Sequence, residues 1–108
     1  METIENKFTE RDYTVTMRFP EFTCLCPMTS QPDFAEITIE YVPGLRLVEL
    51  KSLKLYLNGY RNQGIFHEEA VNRIMQDFIG AVQPKSAVIK GLFNVRGGIY
   101  TTVTVSHP

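Results

Sequence analysis

The sequence has no tryptophan, only two cysteines and two histidines, and almost no excess of either charge. The formal net charge of −1 predicts no general attraction to nucleic acid or to an anionic membrane. The two histidines, His67 and His107, are too few for a zinc site that takes about three histidine ligands, so we expect no metal. Residues Met1 to Glu10 lack the apolar run of a secretory signal, and the overall composition is typical of a globular protein. We therefore expect a cytoplasmic protein without a membrane span.

The two cysteines, Cys24 and Cys26, lie two positions apart. In an extended strand their α-carbons would be roughly 6.5 to 7 Å apart, at or beyond the upper limit of relaxed disulfide geometry. We therefore expect two free thiols, in agreement with a reducing compartment.

The chain length suits one domain, residues 1–108. Alternating apolar and polar residues predict strands, and apolar residues three or four apart predict helices. The predicted strands cover 13–24 with an edge or bulge at Pro20, 34–42, 87–93 and 99–105; the predicted helices cover 51–61 and about 66–82. This β-β-α-α-β-β order indicates an α+β fold with a four-stranded antiparallel sheet and two helices on one face. Such a sheet has exposed edges, so we expect a homo-oligomer in closed rings.

The first candidate site is the polar segment that follows the first predicted strand. Cys26 is the strongest nucleophile available at neutral pH, and Asp33 lies close enough along the chain to share a pocket and exchange protons with an adduct. The alternative is structural, with both cysteines buried as small apolar residues and Asp33 capping a turn.

The second candidate is the beginning of the first predicted helix, from Val48 to Tyr56. Lys51 and Lys54 share one helix face and could hold a dinucleotide phosphate, assisted by Ser52 or by backbone N–H groups. The alternative is again structural, with Glu49 favouring the helix dipole and both lysines in solvent.

Two further candidates are short turns. In the segment from Gly64 to Glu69, a carboxylate could accept two N–H bonds from a guanine-like ring edge, or could merely cap the second predicted helix. Arg96 precedes Gly97-Gly98 and could bind a phosphate, although most such segments are hairpin turns with an exposed arginine.

Three motifs occur in one order along the chain. They are Leu-Cys-Pro-x-Thr-x-Gln-Pro-Asp-Phe at 25–34, Glu-Leu-Lys-Ser-Leu-Lys-Leu-Tyr at 49–56, and Phe-His-Glu at 66–68. Together they resemble the short, single-domain 7-cyano-7-deazaguanine reductases, the nitrile reductases of queuosine biosynthesis. The resemblance covers nearly the whole chain. It implies a tunnelling fold that assembles into barrels as stacked pentamers, with active sites shared between subunits.

The resemblance also implies a reaction and its residues. The nitrile of 7-cyano-7-deazaguanine would be reduced to an aminomethyl group with NADPH, through a thioimide on Cys26 with Asp33 as the proton donor. Cys24 departs from the simplest form of the family's loop, where a residue such as Ser is equally expected; we interpret it as structural, with a redox partner role as the alternative. Substrate would contact Val48, Glu49, Leu50, His67 and Glu68, and the cofactor would contact Lys51, Ser52, Lys54 and Arg96. The alternatives are another tunnelling-fold enzyme acting on a purine or pterin ring, and a non-catalytic binder of such a ring.

Overall fold

A computed structural model describes all residues from 1 to 108, and six strands and two helices follow one another along the chain. Their bounds are β1 Thr3–Glu5, β2 Val15–Leu25, β3 Pro32–Val42, β4 Arg46–Val48, α1 Leu50–Asn58, α2 His67–Val82, β5 Ser86–Arg96 and β6 Ile99–His107. The four long strands form an antiparallel sheet in the order β2-β3-β5-β6. The predicted α+β arrangement is confirmed, since every predicted strand and helix is present with its ends moved by a few residues.

Strands β1 and β4 are additions that the alternation pattern did not predict. They form a separate two-stranded sheet in which Thr3 pairs with Val48 and Glu5 pairs with Arg46. Three residues are too few to display a period of two. This small sheet leads directly into α1.

The core lies between one face of the large sheet and the two helices. On β3 the inward positions alternate regularly and include Ile37, Ile39 and Tyr41. Helix α2 contributes a buried stripe at helical spacing that includes Val71 and Phe78. Removing these side chains from water is the main stabilising contribution, worth about 1.5 to 3 kcal/mol for each large apolar residue.

Pro20 coincides with a change in the face that β2 presents to the core. Met17 and Phe19 pair with inward positions of β3, and the register shifts between Phe19 and Phe22. Over this shift β2 uses three positions where β3 uses two, so β2 contains one extra residue. Without that residue, Phe22 and Cys24 would point to the outer face, because successive strand residues alternate. The shift therefore places Cys24 in the core, where it is fully buried. The prediction of an edge or bulge at Pro20 is confirmed, since β2 is an edge strand of the large sheet and its register shifts beside Pro20.

A tight turn joins β5 to β6. Gly97 and Gly98 both have positive φ, 58° and 82°, as a two-residue hairpin turn with the twist of the strands requires. The register between these strands shifts between Phe93 and Arg96. Such a shift changes the direction in which the following side chains point. Arg96 follows the shift, and its side chain reaches Asp33 on the inner face of β3.

Neither helix has the length and apolar character needed to cross a bilayer.

Candidate active site

Four separate segments of the chain meet around one surface cavity of about 180 Å³. They are the end of β2, the beginning of β3, the loop that enters α2, and the end of β5. The lining residues are Cys26, Pro27, Asp33, Ile65, Phe66, His67, Glu68 and Arg96. The structure thus brings together five of the residues that sequence analysis selected, from three candidate segments that were considered separately.

Cys26 lies just beyond the end of β2, at the start of a closed loop that we call the Cys26 loop, residues 26–31. Its backbone N–H donates to the carbonyl of Gln31 at 2.8 Å, and its own carbonyl accepts from the N–H of Ser30 at 2.8 Å. Ser30 adopts a left-handed conformation with φ of 61°, which closes the loop tightly. Cys26 is partly exposed and is a free thiol.

The Cys26 loop also changes the acidity of the thiol. Hydrogen bonds from the Thr29 side chain and then from the backbone N–H groups of Met28 and Thr29 lower the pKa of Cys26 below its ordinary value. Partial burial and the negative charge of Asp33 oppose this effect. Because the thiolate is the nucleophilic form, a lowered pKa makes Cys26 more reactive at neutral pH.

Asp33 is buried, with only 7% of its side chain exposed, and both of its oxygens are engaged. Oδ1 accepts a hydrogen bond from Nη1 of Arg96 at 2.5 Å, and Oδ2 lies 3.2 Å from Nε2 of His67. A buried carboxylate is costly unless it is paired and hydrogen-bonded, and here it has a partner on each oxygen. The alternative in which Asp33 merely caps a turn does not describe these contacts.

His67 is the first residue of α2, and its ring is fixed from two sides. It stacks on Phe93 with ring centroids 3.8 Å apart and an angle of 8° between the planes, while Nε2 faces Asp33. The preceding loop is attached to the end of β2, where the N–H of Leu25 donates to Gln63 and the N–H of Ile65 donates to Leu25. This attachment brings Phe66, His67 and Glu68 beside Cys26.

The second predicted group lies elsewhere on this chain. None of Val48, Glu49, Leu50, Lys51, Ser52 and Lys54 lines the Cys26 cavity. Val48 is buried and pairs with β1. Glu49 caps α1, since its carboxylate accepts from the N–H groups of Lys51 at 2.7 Å and Ser52 at 2.9 Å. These two bonds lower the pKa of Glu49, as expected for a carboxylate at a helix N-terminus.

The cationic groups at the beginning of α1 remain accessible. Lys51 and Lys54 are exposed and make no ion pair in this structure. Ser52 is less available, because its hydroxyl accepts from the N–H of Glu2 at 2.8 Å and lies 2.8 Å from the carbonyl of Glu49. Leu50 and Lys54 border a second cavity, which is mostly apolar and has a volume of about 120 Å³.

Sequence analysis missed two side chains that contact residues of the Cys26 cavity. Thr29 belongs to the first motif, but its spacing from Cys26 gave no reason to expect a bond to the thiol. Phe93 lies in a predicted strand whose alternation indicated only an inward side chain, and nothing local connects it with His67. Both roles arise from the folded loop and the folded sheet.

The fold and the family model agree on the class of protein. The model described as QueF-like protein matches residues 32–108. A crystal structure of the archaeosine synthase QueF-Like in the apo form superposes with a TM-score of 0.77 at 21% identity, covering 88% of this chain and 91% of that one. The tunnelling fold that the resemblance implies for one subunit is thereby confirmed.

Two curated relatives identify the family more closely. The NADPH-dependent 7-cyano-7-deazaguanine reductase of Thioalkalivibrio sulfidiphilus is 54% identical over 99% of this chain and 83% of its own length. The protein of the same name from Halorhodospira halophila is 55% identical over 99% of this chain and 91% of its own length. The chain belongs to this family of oxidoreductases, as the motifs indicated.

Proposed function

We propose that this chain uses NADPH to reduce the nitrile of 7-cyano-7-deazaguanine to an aminomethyl group through a thioimide on Cys26. The reaction would serve tRNA queuosine biosynthesis in the cytoplasm. The observation that carries the proposal is the cavity in which a thiol of lowered pKa and a buried, hydrogen-bonded carboxylate lie together. The relatives that share half or more of this sequence are named for the same reaction.

Cys26 performs the first step as the nucleophile. Its sulfur forms a bond to the nitrile carbon, and the thiol proton ends on the nitrile nitrogen, so that C≡N becomes a thioimide with a C=N–H group. A nitrile carbon is a poor hydride acceptor, whereas the thioimide carbon accepts hydride readily. The Thr29 hydroxyl and the loop N–H groups that stabilise the thiolate favour this step.

Asp33 transfers the proton between sulfur and nitrogen. As a carboxylate it can accept the proton that Cys26 releases and then donate it to the nitrogen of the adduct. His67 holds the second oxygen of Asp33 and is itself fixed by Phe93, so the carboxylate has one defined orientation. After hydride has reached the carbon, breakage of the C–S bond restores Cys26 and leaves an imine for the second reduction.

The cationic groups of α1 fit a dinucleotide phosphate in part. Lys51 and Lys54 provide two ammonium groups without internal partners, which suits a phosphate. The backbone N–H groups at the same terminus already bond to Glu49, so a phosphate would meet lysine side chains rather than these amides. NADPH, when bound, supplies the hydride, and the four-electron reduction of a nitrile to an amine consumes two NADPH.

We further propose that each active site is shared between subunits of a ring. The cavity of about 180 Å³ is smaller than the roughly 300 to 1,000 Å³ of typical ligand sites. The predicted substrate and cofactor residues at 48–54 lie outside it on the same chain. Strands β2 and β6 are the two edges of the large sheet, and pairing them between neighbours would bring one chain's α1 towards another chain's Cys26. Pentameric rings, stacked in pairs, are the proposed assembly.

The decisive experiment measures NADPH oxidation in the presence of 7-cyano-7-deazaguanine. We expect two NADPH consumed for each aminomethyl product. With the nitrile alone, we expect a covalent mass increase equal to the substrate and a new ultraviolet band, both absent in Cys26→Ala. Tight binding without an adduct would instead indicate a non-catalytic binder, and stoichiometric zinc in active protein would indicate another tunnelling-fold enzyme.

A further inference from the structure

The guanidinium of Arg96 reaches from the end of β5 to the beginning of β3. Nη1 donates to the Asp33 carboxylate at 2.5 Å and to the carbonyl of Pro32 at 2.9 Å, and Nη2 donates to Oε1 of Gln31 at 3.1 Å. Three consecutive residues are therefore held by one side chain. We propose that Arg96 is a positioning residue, which holds the Asp33 carboxylate and the Cys26 loop in the arrangement that forms the thioimide. This inference rests on the proposed function.

The burial of Asp33 makes this contact important. Only 7% of the Asp33 side chain is exposed, against 36% for Arg96, so solvent cannot replace a lost partner of the carboxylate. His67 is the other partner, but a histidine carries a charge only when it is protonated. Arginine is charged at every accessible pH. Arg96 is therefore the permanent counter-charge of Asp33.

The same contact fixes the Cys26 loop. Gln31 closes the loop by accepting from the N–H of Cys26 at 2.8 Å, and its side chain is bonded to Arg96. Arg96 thus bonds the residue that closes the loop and the carboxylate that faces the cavity. A planar guanidinium with several fixed donors is suited to hold such acceptors together, whereas a lysine ammonium is not.

Arg96 also limits the electrostatic effect of Asp33 on the thiol. The charged or titratable groups that line the cavity with Cys26 are Asp33, His67, Glu68 and Arg96. Cys24 is buried on the inner face of β2, opposite Asp33. The Asp33 charge acts to raise the pKa of Cys26, and the arginine paired with it offsets that charge. Removing Arg96 should therefore make the thiolate of Cys26 harder to form.

The resemblance assigned Arg96 to cofactor binding, whereas the structure indicates that Arg96 positions Asp33 and the Cys26 loop. These two roles predict different rates of thioimide formation in Arg96 variants. A residue that only binds NADPH has no effect on thioimide formation, because that step needs no NADPH. The test is the rate of adduct formation with the nitrile alone, followed by mass and ultraviolet absorbance, in the unaltered protein, Arg96→Gln and Arg96→Lys. We expect roughly 10- to 100-fold slower formation in Arg96→Gln, as for misplaced catalytic groups, and an intermediate rate in Arg96→Lys.

Arg73→Gln is the matched control. It removes two exposed side-chain contacts, an ion pair with Glu69 and a hydrogen bond to Oε1 of Gln63, both outside the cavity and neither involving the Gln63 backbone, so adduct formation should stay at the unaltered rate. Circular dichroism verifies the fold of each variant, and Arg96→Lys carries the comparison if Arg96→Gln does not fold. An unaltered rate in folded Arg96 variants, with only the KM for NADPH raised, would overturn the proposal and leave the proposed function intact.

A second measurement does not depend on the nitrile reaction. The rate of iodoacetamide alkylation at Cys26 is followed against pH, with Cys26→Ala as the blank. In Arg96→Gln the profile should move to higher pH, and adding Asp33→Asn should move it back. If the unaltered protein forms no adduct, the proposed function fails, and this profile alone decides whether Arg96 controls the site. Identical profiles in all three proteins would overturn the inference.

Discussion

Cys24 and Cys26 are two residues apart and have opposite environments. Cys24 lies on the inner face of β2, opposite Asp33, and is fully buried. Burial first, and then the Asp33 charge, raises the pKa of Cys24 to about 11. Cys26 lies one residue past the end of the strand, where the hydrogen bonds of its loop lower the pKa of its thiol.

The difference between the two cysteines comes from the backbone rather than from their neighbours in sequence. In a continuous strand, residues two apart point to the same face. Strand β2 ends at Leu25, so Cys26 leaves the sheet, and the turn from Pro27 to Ser30 directs N–H groups towards its sulfur. The same residue type is therefore an inert core side chain at one position and a candidate nucleophile at the other.

The largest effect is expected from Cys26→Ala. The variant should lose nitrile reduction by more than roughly 10³-fold, as expected when the nucleophile is removed, while its fold is kept. NADPH oxidation and adduct mass measure the loss. Cys24→Ala is the matched control and should still form the adduct. Adduct formation by Cys26→Ala and its loss in Cys24→Ala would reverse the assignment.

A smaller but still large effect is expected from Asp33→Asn. Without the carboxylate, proton transfer to the adduct should slow reduction by roughly 10²- to 10⁴-fold while substrate affinity stays close to normal. Equilibrium binding and single-turnover reduction separate the two quantities. A strong loss of affinity with normal reduction would show that Asp33 binds substrate and does not transfer protons.

Chemical modification compares the two thiols directly. At neutral pH the folded protein should react with iodoacetamide at Cys26 and leave Cys24 unmodified, because Cys26 is accessible with a lowered pKa and Cys24 is buried with a raised one. Peptide mass mapping after timed exposure checks this. In urea both cysteines should react alike, and unequal reaction there would point to a cause outside the fold.

The smallest effect concerns stability at alkaline pH. Below the ordinary thiol pKa of 9.0, the Cys24 thiol is protonated in both the folded and the unfolded protein. Above that pH the thiol ionises in the unfolded chain, whereas in the folded chain it stays protonated up to a pKa of about 11. Folding stability from this group is therefore lost as pH rises from 9.0 to about 11. Cys24→Ala should be about 1 kcal/mol less stable at neutral pH, from lost burial, and should lose less stability over this range.

Urea unfolding of both proteins across the range measures the difference. Tyr41 and Tyr60 also have raised pKa values because they are buried, but both variants contain them, so the difference isolates Cys24. Parallel curves for the two proteins would show that Cys24 contributes nothing to the alkaline loss.

The sequence was most informative where structure is periodic and local. Alternation placed the four long strands, helical spacing placed α1 and α2, and Gly97-Gly98 placed the last hairpin. The motifs also selected four of the five candidates that meet in the cavity, and the turn at Arg96 supplied the fifth. The three-residue strands β1 and β4 were missed, because they have no measurable period and depend on pairing with each other.

Other features of the site depend on contacts between distant parts of the chain. Arg96 and Asp33 are 63 positions apart, and their contact needs both the β5 register shift and the turn that follows it. The stacking of His67 on Phe93 joins the first turn of a helix to a strand on which it packs. A single sequence does not display such pairs, because no local spacing links their members.

The amino-acid sequence alone determined the fold class, the order of the elements and the family to which this chain belongs, because periodicity and motifs are local properties. It also indicated that Cys26, rather than Cys24, is the reactive thiol, but only through resemblance. The tertiary structure showed how the two thiols differ, because the bulge after Phe19 places Cys24 in the core, whereas Cys26 lies beyond the end of β2 in a loop whose hydrogen bonds lower the pKa of its thiol. It also determined that Arg96 faces Asp33, since that contact exists only when β3 and β5 lie side by side.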